Sequence, residues 1–288
     1  MPPSELVLDS AGAVYHLGLQ PEEIADKIIV VGDPGRVAKI SNKFDSVEHK
    51  VSKREFVTHT GYIGNERITV LSTGIGVDNI DIVMNELDAL RNIDLTTRMA
   101  KGKLNPLKII RLGTCGALSR DIPVGSFIQS NYAIGLDGVM HFYGCAYEED
   151  ELELTRKFME HVNWNIDGLR PYAIRGSATL SAYFQEGFFQ GITATACGFY
   201  GPQGRQLRLP LAMQNLNDAM SNFTYNDLAM ANYEMESSAL FGLGSALGHE
   251  CTTVCAVIAN RLRNEFLKDY QPAIDQLIDK VLEAFTTH

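Results

Sequence analysis

The feature that most constrains this chain is a recurring pair: a short run of apolar, largely β-branched residues that stops at a glycine-bearing turn. Lys27 to Val31 (KIIVV) runs into Gly32-Asp33-Pro34-Gly35, Arg67 to Leu71 (RITVL) into Ser72-Thr73-Gly74-Ile75-Gly76, and Lys108 to Leu112 (KIIRL) into Gly113-Thr114-Cys115-Gly116. Ser126 to Ser130 forms another run, and Thr253 to Ala259 (TVCAVIA) ends at Asn260-Arg261. Runs this short, apolar at successive positions, read as strands covered on both faces. Between them lie helical patterns. Asn79 to Arg91 repeats apolar residues at Ile80, Val83, Met84, Leu87 and Leu90, the spacing of one helix face. Glu149 to Trp164 is a second amphipathic segment, Glu234 to Leu247 a third with Gly248 at its end, and Pro272 to Phe285 the last. Strands alternating with helices predict a layered α/β fold around a parallel or mixed sheet. In such sheets ligands collect where strands end and loops begin, and every glycine turn above sits at a predicted strand end. Residues 92 to 107 and 199 to 226 read as long connections, a kind of segment that is often functional.

No repeat or low-complexity linker divides the 288 residues, so residues 1–288 are expected to form one domain. With 45% hydrophobic and 21% charged residues, the chain can bury a sizeable core. A net charge of −10 argues against a nucleic-acid partner. It leaves room for a small anionic substrate held by a few arginines. The five cysteines are widely spaced without a CxxC pair, which suits reduced thiols better than a disulfide framework or a zinc site. The N-terminus lacks a basic-then-apolar leader, and no apolar run approaches the roughly 20 residues of a membrane span. A soluble, cytoplasmic protein without a membrane partner is expected.

Several segments carry possible chemistry. Gly32-Asp33-Pro34-Gly35-Arg36 can aim backbone N–H groups and a guanidinium at an anion, or be an ordinary turn with a solvated arginine. Arg111 stands inside an apolar strand, where an unpaired guanidinium is costly; it must meet a carboxylate or a bound anion, and Thr114 adds a hydroxyl at the same end. Ser52-Lys53-Arg54-Glu55-Phe56 reads alone as a surface charge cluster. Gln203-Gly204-Arg205 is either a heterocycle-reading pair or a flexible polar loop. Asn232-Tyr233-Glu234-Met235-Glu236 offers acidic residues that favour a helix start or bind sugar hydroxyls. Arg261 ends the final apolar run.

Taken in order, these segments resemble the nucleoside phosphorylase family of the hexameric purine nucleoside phosphorylase/uridine phosphorylase type. The matching stretches are HLGL from His16, GDPGRV from Gly32, REF from Arg54, STGIG from Ser72, RLGTCGA from Arg111, LDG from Leu136, FYGPQGR from Phe199, NYEMES from Asn232 and VIANR from Val257. They span nearly the whole chain, and GDPGRV, EMES and the final NR are the most specific. The resemblance implies a three-layer αβα fold with a mixed, partly barrel-like sheet. It implies phosphate binding by Gly32, Arg36, Arg111 and Thr114, with Arg54 supplied by a neighbouring subunit. It implies ribose binding by Met235 and Glu236, with His16 reaching the 5′-hydroxyl from that neighbour. Phe199, Gln203 and Arg205 correspond to the base-binding residues, with Arg261 behind them; Arg205, Gln203 and Arg111 are the expected catalytic set.

The implied reaction is phosphorolysis, giving α-ribose 1-phosphate and a free base. Inorganic phosphate is then a co-substrate; no metal or organic cofactor is expected. Some relatives hold a monovalent cation at the subunit interface near the position of Glu55, but Asn79 departs from the serine expected there. Purine-specific members carry an Asp after the last core strand, where this chain has Ala259-Asn260-Arg261. That difference and Gln203-x-Arg205 point to pyrimidine nucleosides, uridine first. A purine or broad-specificity phosphorylase, a hydrolytic nucleosidase and a non-catalytic nucleoside binder are the alternatives; retention of Arg36, Arg54 and Arg111 counts against the nucleosidase. The apolar stretch after Arg205 and the insertion at residues 92–107 are departures from the pattern. If Arg54 and His16 act across a boundary, a homodimer is the smallest competent unit.

Overall fold

A computed structural model describes residues 1–288 and organises them around a twelve-stranded mixed sheet. In chain order the elements are β1 (Lys27–Val31), α1 (Pro34–Ser41), β2 (Ser46–Lys53), β3 (Phe56–Ile63), β4 (Glu66–Ser72), α2 (Val77–Asn92), β5 (Ile93–Asp94), β6 (Met99–Ala100), β7 (Lys108–Ala117) and β8 (Phe127–Leu136). They continue with α3 (Glu149–His161), β9 (Tyr172–Arg175), α4 (Ala178–Ser181), β10 (Phe189–Ala196), α5 (Leu216–Ser221), β11 (Thr224–Tyr225), β12 (Leu228–Glu234), α6 (Ser237–Leu247), β13 (Glu250–Asn260), β14 (Glu265–Phe266) and α7 (Gln271–Thr287). The main path runs β11-β12-β10-β8-β13-β7-β1-β4-β3-β2. Two antiparallel register pairs between β12 and β7, Asn232 with Ala117 and Tyr233 with Gly116, close β7, β13, β8, β10 and β12 into a five-stranded mixed barrel. The strands β1, β4, β3 and β2 extend from it as a wing.

The continuous apolar runs have a direct cause. In β1, Ile28 and Val30 pack with Val83, Met84, Leu240 and Leu243 of α2 and α6, whereas Ile29 and Val31 pack with Val37, Ile40, Ile274 and Leu277 of α1 and α7. Successive side chains point to opposite faces, and both faces are covered. The barrel interior is filled by small or short residues, among them Cys115, Ala117, Ile128, Ala231, Cys255 and Val257. The helix α3 seals the barrel's outer side with Leu154 and Phe158. The layered αβα expectation with a partly barrel-like sheet holds. No helix is long and apolar enough to cross a membrane.

Four local expectations need correction. The turn expected at Gly113–Gly116 is strand: β7 runs on to Ala117 because its last residues exchange the neighbour β1 for β12. Glu234 ends β12 instead of opening a helix, and α6 begins at Ser237. Residues 92–107 contain the β5–β6 hairpin, whose turn is tied by Asp94 Oδ1 accepting from the backbone N–H groups of Thr96 and Thr97. Residues 199–226 contain a 3₁₀ turn, α5 and the start of the β11 hairpin. Strands β2, β3, β9, β10 and β12 escape the sequence reading. In β2 (SVEHKVSK) exposed and half-buried residues alternate on a sheet edge, so no apolar run marks it.

Leu277 of α7 is fully buried against the sheet. Leu277→Ala should lower unfolding stability by about 2–5 kcal/mol in chemical denaturation; an unchanged midpoint would mean that α7 contributes little to the cooperative unit.

Candidate active site

A cavity of about 1030 Å³ opens over the ends of β1, β7, β12 and β13. One side is the loop after β1. Asp33 is the N-cap of α1, its carboxylate accepting from the Gly35 backbone N–H at 2.9 Å, and Pro34 supplies the pre-set first helical φ. This cap delivers Arg36 into the cavity wall, where Nη1 donates to the Leu112 carbonyl at 3.2 Å. Burial pulls the Arg36 pKa down, and Asp33 opposes that pull. Gly32 sits so close to the strand β4 loop that a Cβ would lie 3.3 Å from the Gly74 carbonyl oxygen. Gly32, Arg36, Arg111 and Thr114, distant in sequence, all line this one cavity.

Arg111 meets carboxylates and also lines the cavity, so the carboxylate and anion readings are compatible. Its Nη2 donates to Glu236 Oε2, Nη1 stands 3.4 Å from Glu234 Oε2, and Nη1 also contacts Cys255 Sγ at 3.3 Å. Gly113 is required beside it, since a Cβ there would collide with the guanidinium. Burial alone would lower the Arg111 pKa, but Glu236 and Glu234 outweigh it and raise it. Burial pushes the Glu236 carboxyl up; Arg111 opposes this and the like charge of Glu234 reinforces it.

Of the two uses the sequence offered for the acidic pair, Glu234 takes the helix-start one, from the end of β12. Its Oε2 accepts from the backbone N–H groups of Glu236 and Ser237, both at 2.9 Å, and its Oε1 accepts from Thr195 Oγ1 at 2.6 Å. It therefore satisfies the open N–H groups at the start of α6. Glu236 itself reaches across to accept from the Gly76 N–H at 2.7 Å. The Glu-Met-Glu spacing was the available signal; the strand-to-helix junction that gives it meaning is tertiary.

Phe199, Gln203, Arg205 and Arg261 line the cavity away from the Arg36 loop. Arg205 Nη1 donates to the Gln203 side-chain oxygen and to the Phe199 carbonyl, each at 2.5 Å, and its guanidinium lies 3.7 Å from the Phe199 ring centre. That stacking is a cation–π contact. Arg261 Nη1 donates to the Gln203 backbone carbonyl at 2.5 Å. Burial and then the neighbouring Arg261 pull the Arg205 pKa down to about 10. The fork is thus a concentrated set of N–H donors with its positive charge partly desolvated. Ile258 and Ala259 complete this wall, while Asn260 is turned away to donate to the Ser119 and Ile122 carbonyls, both at 2.8 Å.

Met235 lines the same cavity beside Glu236, whereas His16 and Arg54 do not. They gather around Tyr15: His16 packs edge-on against its ring at 5.0 Å, the Arg54 guanidinium lies 5.7 Å from it, and His16 Nδ1 is 2.7 Å from Glu86 Oε1. Arg54 adopts a left-handed φ of 55°, while Glu55, the next residue, lines the cavity. Asn79 sets its amide nitrogen against Gly74 next to the Glu55 side chain.

The profile of the phosphorylase superfamily matches residues 26–286. The chain belongs to the phosphorylase superfamily. Among relatives in this superfamily, the uridine phosphorylase of Thermococcus kodakarensis is 31% identical over 265 residues, covering 89% of this chain and 81% of the relative. The Escherichia coli uridine phosphorylase is 28% identical over 261 residues, covering 89% of both chains. A Trypanosoma brucei nucleoside phosphorylase, described as showing uridine phosphorylase activity, superposes with a TM-score of 0.90 at 30% identity, over 98% of this chain and all of its own. The protein is an enzyme of the nucleoside phosphorylase class.

Arg111→Met would leave Glu234 and Glu236 buried without their cation. Loss of one partner from a buried charge cluster costs about 3–5 kcal/mol. The deficit measured by denaturant should be larger at pH 8 than at pH 5. Without Arg111 the Glu236 carboxyl, already pushed up by burial, rises further, so the folded variant binds more protons than its unfolded chain and loses stability as pH rises.

Proposed function

We propose that this enzyme is a uridine phosphorylase: it uses inorganic phosphate to cleave the nucleoside to uracil and α-D-ribose 1-phosphate, with residues 1–288 acting as one domain. The observation that carries the reading is the Gln203–Arg205 fork in the cavity that also contains Arg36 and Arg111. The end of β13 offers the base no carboxylate, because Ala259 faces the cavity and Asn260 is spent on backbone carbonyls. A purine leaving group needs a proton donor at N7. A pyrimidine instead needs donors for the negative charge that spreads over its carbonyl oxygens and ring nitrogen.

In this reading the Gly32 loop, Arg36, Arg111 and Thr114 hold the phosphate, whose oxygens match guanidinium donors. Met235 and Glu236 bind the ribose, with Glu236 accepting from the 2′- and 3′-hydroxyls. Phosphate attacks C1′ as the bond to the base N1 breaks; that bonding pair leaves with the base, and the anomeric centre inverts. Positive charge develops on the sugar beside Glu236, and negative charge on the base meets Gln203 and Arg205, the equivalent of an oxyanion site. Phe199 packs near the base and Arg261 holds the fork from behind. Holding the dianion in line with C1′ supplies the proximity effect. No step runs through a metal or cation.

His16 and Arg54 enter from a second copy of the chain: they share one exposed patch around Tyr15 and stand outside their own cavity. The proposed active unit is therefore at least a homodimer.

A phosphorolysis panel tests the substrate. Uridine should be cleaved only when phosphate is present and faster than inosine; a strong inosine preference overturns the base assignment, and cleavage without phosphate overturns phosphorolysis. Arg205→Ala should lower kcat on uridine about 10²–10³-fold, the usual cost of one missing donor. Arg54→Ala and Arg205→Ala, each strongly impaired alone, should recover part of the activity when mixed and allowed to exchange subunits. No recovery in confirmed mixed oligomers would refute sharing of the site between copies.

A further inference from the structure

The base-reading fork sits on a short turn with little of its own to hold it. Gly201–Gln203 is a single 3₁₀ turn, closed by Gly204 in the left-handed region at φ 66°. Its internal hydrogen bonds, Gln203 and Arg205 N–H to the Tyr200 carbonyl, fix its shape but not its position over the cavity. Position depends on what grips the turn from outside. The Gln203 carbonyl has two such partners: Arg261 Nη1 at 2.5 Å and Asn217 Nδ2 at 3.2 Å.

Asn217 belongs to α5, the part of the 199–226 connection that the proposed reaction does not use. Its amide is oriented by a second contact, because Tyr233 Oη donates to Asn217 Oδ1 at 2.9 Å. The oxygen must therefore accept from Tyr233 and the nitrogen must donate to Gln203. Contact is also tight at the next residue, where a Cβ on Gly204 would collide with the Asn217 amide. Tyr233 is buried in β12, immediately before the Glu234-Met235-Glu236 segment. A chain of contacts thus runs from the strand that carries the proposed ribose carboxylate, through Asn217, to the turn that carries the base fork.

We propose that Asn217 is a positioning residue for nucleoside recognition, bridging Tyr233 to the Gln203 carbonyl so that the Gln203–Arg205 fork is held at a fixed height above the ribose site. The proposal rests on the assignment of that fork to the base. Asn217 touches no substrate. It acts by restricting the turn, and small displacements of positioning groups have large kinetic effects.

The test is steady-state kinetics on Asn217→Ala and Tyr233→Phe, with KM determined separately for nucleoside and phosphate. Asn217→Ala should raise the nucleoside KM about tenfold or more and leave the phosphate KM within about twofold. Tyr233→Phe should shift the nucleoside KM the same way by a smaller factor, since it frees Asn217 without deleting it. Asn217→Asp, which turns a carboxylate oxygen toward the Gln203 carbonyl, should be at least as damaging as Asn217→Ala. An unchanged nucleoside KM in Asn217→Ala overturns the proposal. So does an equal rise in both KM values with a matching fall in melting temperature, the signature of general loosening. If Asn217→Ala does not fold, Tyr233→Phe alone decides by the same criterion. Should the unmodified enzyme prefer inosine, the pyrimidine reading fails by itself, and the Asn217 comparison is made on the preferred nucleoside.

Discussion

The cluster of Arg111 with Glu234 and Glu236 is the constraint on which the rest of the site depends. A guanidinium in the middle of an apolar strand would be prohibitive alone, and two carboxylates at a buried helix start would repel one another. Together they offset each other's desolvation. Each is also tied to a different element: Arg111 to β7, Glu234 to the end of β12 and through Thr195 to β10, and Glu236 to the loop before α2 through the Gly76 N–H. Barrel closure between β7 and β12 is what brings these strands into register. The electrostatic cluster and the topology therefore require one another.

This arrangement gives Glu236 a dual character. Its carboxyl is pushed up by burial and by Glu234, and is kept available as an acceptor by Arg111. An acceptor held in that balance suits sugar hydroxyls, because it is dry, fixed in direction and already compensated. Arg111 is similarly divided between its carboxylates and the cavity that it lines with Arg36. At the far wall the electrostatics are reversed. Arg205 and Arg261 lie close together with no carboxylate between them, and the mutual repulsion is borne by contacts to the Gln203 and Phe199 carbonyls, the Gln203 side chain and the Phe199 ring. In the proposed reaction these donors, neutralised by no neighbouring anion, meet the negative charge of the departing base.

The cavity polarity follows from the fold. Strand ends and the first turn of α1 supply N–H groups and arginines on one side. The irregular connection 199–226 supplies the fork on the other. Regular elements set the end that grips phosphate in the proposed reaction, and a loop braced by side chains sets the base end. In that proposed reaction base specificity rests on the part of the molecule with the least backbone support of its own, which is why the Asn217 contact to the Gln203 carbonyl was proposed to carry weight.

The sequence by itself determined the strands that are buried on both faces, because such strands must be apolar at every position, and KIIVV, KIIRL and TVCAVIA announce themselves in that way. It also placed glycine turns, Arg36, Arg111 and Arg261 near strand ends, and the alternation of strands with helices was enough to anticipate the layered fold; that these residues share a site was implied only by the family resemblance. Edge strand β2 stayed hidden, since a half-exposed strand leaves only a weak alternation. The run of β7 through Gly113-Thr114-Cys115-Gly116 stayed hidden because those residues look like a turn until β12 pairs with them. Which carboxylates meet Arg111, which N–H groups Glu234 takes, the turning away of Asn260 and the contact of Asn217 with the Gln203 carbonyl were decided only by tertiary structure. Each depends on which atoms from remote segments fall within hydrogen-bond reach, and local spacing carries no information about that distance.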